Sequence, residues 1–267
     1  MAPTLDGFIQ SDFTHGGVTH PVYRAGSGPA VVVIAEIPGI TPKVIAFAQR
    51  VIDLGCTTYL PSLFGIAGHE PDGRAMLAAA RNICVSREFT LLARGKASPV
   101  TGWLRALAKE AHSECGGPGV GAVGMCFTGG FALAMAVDRR MIAPVLSQPS
   151  LPLPIGAARR ADIGLDTASL ARVKERCADE GLCVLGVRFT QDALSPAERF
   201  DRLRRELGDG FIGVEIPSES VPKGATLSGK PHSVLTEDLV DEPGHPTKDA
   251  LEQVLQFYRD RLLSSPG

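Results

Sequence analysis

The stretch Gly124-Met125-Cys126-Phe127-Thr128-Gly129-Gly130 sets a cysteine between an apolar run and a helix-like run. A nucleophile presented at such a strand–turn–helix junction sits in a strained conformation, and small flanking residues let strand and helix approach each other. A helix that begins just after it favours a thiolate through its N-terminal dipole. The Phe127 N–H would point toward the oxyanion formed when that sulfur attacks a carbonyl. The chemistry this pattern suits is acyl transfer. One residue departs from it. Thr128 stands two places after the cysteine, where glycine is usual, and the glycines come one place late.

Such a nucleophile needs a base, and the base needs an acid to orient it. In sites of this type the chain order is nucleophile, acid, base. Asp192 follows the apolar run Leu182–Thr190 and is the acid expected from that order. His232 and His245 both lie after the last strand-like run, and either could reach Cys126 from a loop. His232 is favoured as the base, because His245, between Gly244 and Pro246, reads as the entry turn of the final helix. His15, His20, His69 and His112 precede the nucleophile and are expected on the solvated surface. Glu36 is a carboxylate near the end of a buried strand, where an unpaired charge is costly. It is expected beside Cys126, sharing a proton with the thiol. Ile37 would then donate a second N–H to the oxyanion.

The elements that must carry these groups alternate along the chain. Two short alternating runs around Gly16-Gly17 read as a hairpin. Val31–Ile37 is a continuous apolar, β-branched run that suits a strand buried on both faces. Further strands are expected over Cys56–Phe64, Val120–Met125, Ala143–Ser150, Leu182–Thr190 and Phe211–Pro217. Helices are expected over Lys43–Gly55, Arg74–Ala93, Pro99–Cys115, Thr128–Val137, Asp166–Asp179, Ser195–Leu207 and Lys248–Leu263. This alternation predicts an α/β fold: a doubly wound, mostly parallel sheet flanked by helices, with a short antiparallel hairpin at its N-terminus. Residues 1–267 carry no repeat or long linker and are expected to form one domain. Ligands in such sheets bind beyond the carboxyl ends of the strands, which is where Glu36, Cys126 and Asp192 fall.

Composition narrows the classes of function. The formal net charge is −2 and no Lys/Arg run occurs, which argues against nucleic acid as a partner. No apolar run is long enough for a membrane helix, and the first residues lack the pattern of a secretory signal. A cytoplasmic protein is expected, with its six cysteines free. No CxxC or CxxH spacing supports a metal site.

The pieces "AEIPGI" from Ala35, "GMCFTGG" from Gly124, the D-x-x-x-P of Asp192 to Pro196 and "HSVL" from His232 occur in that order. Together they resemble the dienelactone hydrolase family of α/β-hydrolases, over nearly the whole chain from Phe13 to Leu263. The resemblance implies that Cys126 is the nucleophile, Asp192 the orienting acid and His232 the base. It also implies that Glu36 holds the resting thiol until substrate displaces it, and that the Ile37 and Phe127 N–H groups form the oxyanion hole. The implied activity is hydrolysis of a small ester or lactone, of the carboxymethylenebutenolidase kind, with no metal or organic cofactor. The family holds acidic substrates with arginines, for which Arg81 and Arg87 are candidates. A thioesterase using the same site remains an alternative. So do a thiol-based sensor or binding protein and an inert interaction scaffold on the same fold.

Overall fold

The computed structural model describes residues 4–70, 99–222 and 230–264. The hairpin forms as expected, from β1 (Ile9–His15) and β2 (Val18–Gly26) joined at Gly16-Gly17. Then come β3 (Ala30–Ile34), α1 (Pro42–Asp53), β4 (Thr57–Pro61), α2 (Pro99–Cys115) and β5 (Val120–Met125). A 3-10 turn over Cys126–Thr128 leads into the seven-residue α3 (Gly129–Met135). The chain continues through β6 (Met141–Ser147), α4 (Ala157–Arg160), α5 (Thr167–Asp179), β7 (Val184–Phe189) and α6 (Ala197–Leu207). It closes with β8 (Phe211–Ile216) and α7 (Pro246–Tyr258), which runs on into a π turn over Arg259–Leu263.

The eight strands form one sheet in the order β1-β2-β4-β3-β5-β6-β7-β8. β1 and β2 are antiparallel, β2 meets β4 antiparallel, and every pair from β4 to β8 is parallel. Helices cover both faces. Val32 and Ile34 of β3 join Trp103, Leu104, Phe131 and Leu203 on one side. Val31 and Val33 join Phe47, Val51, Leu251 and Tyr258 on the other. The unbroken apolar runs of β3 and β5 are therefore the mark of strands buried twice.

Helix ends are set by local chemistry. Thr41 accepts from the Val44 N–H at 3.3 Å and Pro42 opens α1. Asp166 accepts from the Ser169 N–H at 2.7 Å at the start of α5.

One expectation needs correction. β3 stops at Ile34 rather than Ile37, because the Ile34 and Ala35 carbonyls turn to the Thr128 hydroxyl instead of a neighbouring strand. The helix expected over Arg74–Ala93, with Arg81 and Arg87, lies outside the described residues. No helix among the described residues is long and apolar enough to cross a membrane.

Candidate active site

β5 delivers Cys126 to the carboxyl end of the sheet in the left-handed region, with φ of +53°. L-residues rarely adopt this conformation and pay about 1–2 kcal/mol for it, so the surroundings must enforce it. The flanking glycines do so. A Cβ on Gly124 would stand 2.1 Å from the Thr128 carbonyl oxygen, and one on Gly129 would stand 2.5 Å from Pro149 Cα. The sharp turn therefore needs glycine at both places.

Thr128, the residue out of pattern, is a fastener. Its buried hydroxyl accepts the Met125 N–H at 2.9 Å and lies 2.8 Å from the Ile34 carbonyl, to which it donates. It ties the turn after β5 to the end of β3. A glycine there would leave the Met125 N–H and the Ile34 carbonyl without this link.

β3 and β5 are hydrogen-bonded neighbours with Ile34 opposite Gly124. Ile37 and Phe127 each lie three residues beyond this pair in the chain.

His232 comes from the long loop after β8. Its Nδ1 lies 2.7 Å from Asp192 Oδ2, beyond the end of β7. Asp192 is buried, and its Oδ1 accepts the Leu194 N–H at 2.9 Å, which fixes the carboxylate. Asp238 fixes the histidine loop: its Oδ2 accepts the His232 and Ser233 N–H groups at 2.6 and 2.8 Å. Burial alone would lower the His232 pKa. The neighbouring Cys126 sulfur and the hydrogen-bonded Asp192 carboxylate outweigh burial and hold it well above the ordinary histidine value. The ring's Nε2 is buried with no hydrogen-bond partner among the described residues. His232 thus pairs with Asp192 and lies within electrostatic reach of Cys126.

Glu36 is placed otherwise than expected. It is buried, and its oxygens accept from the Thr236 hydroxyl, the Ser233 hydroxyl at 2.7 Å and the Gln148 amide at 3.3 Å. No hydrogen bond joins it to Cys126 among the described residues. Three donors from the loop after β8 and the turn after β6 have captured the carboxylate. Burial raises the Glu36 pKa, while its bonds to Thr236 and Ser233 act in the opposite direction. The sulfur instead contacts the Ser150 hydroxyl at 3.3 Å.

Residues 17–158 match the family model described as the dienelactone hydrolase family. The chain belongs to the dienelactone hydrolase family. That family lies within the α/β-hydrolases and acts on esters or lactones. Among solved structures, a Klebsiella pneumoniae protein named after the dienelactone hydrolases shares 17% identity, covering 94% of this chain and 98% of that one, with a TM-score of 0.62. A dienelactone hydrolase from Anabaena variabilis shares 16% identity over 98% of this chain and 100% of that one, at 0.60. A dienelactone hydrolase-like promiscuous phosphotriesterase from metagenomic libraries shares 17% over 96% and 98%, at 0.58. At these identities the likeness is one of fold. No curated protein matches the chain.

Within this dienelactone hydrolase-family site, several residues escaped the sequence reading. Gln148 has φ of +33°, is wholly buried, and bridges Glu36 and the Val234 N–H. Ser150, Ser233, Thr236 and Asp238 complete the network. The clue was present in "SQPS" after β6 and in the hydroxyls and acids that follow His232. His245 caps α7 and contacts the Thr247 hydroxyl and the Ser220 carbonyl, so it packs a helix entry. His20 is not a free surface residue: it stacks edge-on against Trp103 at 5.1 Å.

Proposed function

We propose that this protein hydrolyses a small ester or lactone through a Cys126–His232–Asp192 triad and a thioester intermediate. The observation that carries the reading is the Asp192–His232 pair converging on a left-handed Cys126. The Cys126 sulfur attacks the carbonyl carbon, and the oxygen takes up the electron pair against the Ile37 and Phe127 N–H groups. The tetrahedral species collapses, and the leaving oxygen takes the proton from His232 Nε2. Water then attacks the thioester and gives its proton to His232 as the acid forms and the thiolate is expelled. Asp192 keeps the imidazole oriented and stabilises its charged form. A thiolate nucleophile suits substrates whose leaving group is a stabilised enolate, as in enol-lactones of the carboxymethylenebutenolidase class.

Glu36 acts here as a brace. It sits directly before Ile37 and bonds Ser233 directly after His232, so it fixes the oxyanion loop relative to the base. We place the protein in the cytoplasm as one α/β domain acting on a small molecule. The five cysteines among the described residues are free, which suits a reducing compartment. The test is Cys126→Ala assayed against aryl esters, enol esters and lactones. A loss of about 10³-fold or more in kcat is expected, and undiminished turnover would overturn the assignment.

A further inference from the structure

The Cys126 sulfur and the Ser150 hydroxyl are 3.3 Å apart, and among the described residues that hydroxyl has no other hydrogen-bond partner. Ser150 is 2% exposed, so its proton has no solvent to bond instead. Its position is fixed independently of the sulfur. The Ser150 N–H donates to the Cys126 carbonyl at 2.9 Å, which locks the two backbones together. On either side of it the buried Arg199 guanidinium donates to the Pro149 and Pro152 carbonyls. Pro149 also packs directly on Gly129 behind the turn. The charged group that acts on the sulfur is His232, backed by Asp192, while the oxygens of Glu36 are engaged by Ser233, Thr236 and Gln148. The carboxylate expected to hold the sulfur is therefore occupied, and a serine stands in its place.

We propose that Ser150 is a positioning residue whose hydroxyl donates to the Cys126 thiolate and holds the sulfur on its line of attack. The inference rests on Cys126 being the nucleophile. The bond favours the thiolate in the resting enzyme. It is lost when the sulfur becomes a thioester, and it re-forms as water cleaves that thioester and the electron pair returns to sulfur. The serine thus assists at the one step where Cys126 is the leaving group. A hydrogen bond to a charged group is among the stronger kinds, so its removal is felt on both the resting thiolate and its regeneration.

The test compares the parent with Ser150→Ala, Ser150→Thr and Cys126→Ala. Two readouts are followed: the pH profile of Cys126 alkylation by iodoacetamide, located by mass spectrometry, and steady-state turnover of 4-nitrophenyl acetate. Ser150→Ala is expected to move the alkylation midpoint upward by about one pH unit and to lower kcat about tenfold with KM unchanged or lower. Ser150→Thr, which keeps the hydroxyl, is expected to restore the midpoint. If Cys126→Ala abolishes turnover while Ser150→Ala keeps the parent midpoint and kcat, the role of Ser150 is overturned and the nucleophile stands. A lower melting temperature with an unmoved midpoint overturns it equally, since packing alone would do that. If Cys126→Ala turns over like the parent, the reading beneath the inference fails as well.

Discussion

Cys126 and Gln148 are the two non-glycine residues with positive φ among the described residues, at +53° and +33°, and they end neighbouring parallel strands. The same strain serves different ends in the two turns. Cys126 is half-buried and its side chain has one hydrogen-bond partner among the described residues, Ser150, so little of its own bonding repays the conformation. The turn is held from outside by Thr128, Gly124 and Gly129. Gln148 is wholly buried, and its amide engages Ser147, Glu36 and the Val234 N–H. Its side chain joins the ends of β3 and β6 to the loop after β8. One turn presents an atom for chemistry, and the other braces the loops that surround it.

The largest effect that could sharpen this contrast is on rate. Asp192→Asn keeps the shape but leaves His232 without its anion, and kcat is expected to fall about 10²- to 10⁴-fold in steady-state assays. A fall of less than tenfold would remove Asp192 from the presenting machinery. The next effect is on stability. Gln148→Gly relieves strain but removes one of three donors to the buried Glu36 carboxylate and leaves the buried Val234 N–H without its acceptor, so a loss of about 2–3 kcal/mol is expected in urea unfolding. Cys126→Gly relieves strain with little bonding to lose, and its stability is expected within about 1 kcal/mol of the parent, while activity disappears. Equal losses at both positions would break the comparison.

A smaller effect concerns pH. The folded-state pKa of His232 lies above its unfolded value. The stabilisation from this shift is therefore complete below about pH 6.5 and is lost as pH rises through the folded value. The melting-temperature advantage of the parent over His232→Gln is expected to shrink as pH rises from about 6.5 through the folded-state value. A constant difference would contradict the charge coupling between His232 and Cys126. The smallest effect tests the brace. Because Glu36 is bonded to Ser233, Thr236 and Gln148, Glu36→Gln is expected to leave the pH midpoint of Cys126 alkylation unchanged. A shift of a full unit would restore Glu36 as the group that shares the thiol proton.

Much of the fold was legible because strands buried on both faces read as unbroken apolar runs. Val31–Val33 and Val120–Met125 are of this kind, and the helices between them show plain periodicity. The positions of Cys126, Asp192 and His232 followed from chain order, since each must leave a strand end on the same rim. What could not be read was the direction in which side chains turn beyond those ends. The sequence places Glu36 near Cys126, but its partners come from residues 148, 233 and 236, and only the path of the loop after β8 brings them to it. Ser150 escaped for the same reason. Its place depends on Arg199, which lies in α6 and reaches back to the loop after β6. Thr128 looked like a defect in the turn because its value lies in a bond to Ile34, a residue far away in the chain.

The most direct measurement of the central claim is the mass of the enzyme during turnover. The protein is mixed with an aryl ester, quenched in acid within milliseconds to seconds, digested, and its peptides are weighed. The expected result is the acyl mass on the peptide that contains Cys126, present only while substrate lasts and absent from Cys126→Ala. An acyl group carried on another residue, or hydrolysis by Cys126→Ala at the parent's rate, would contradict the claim.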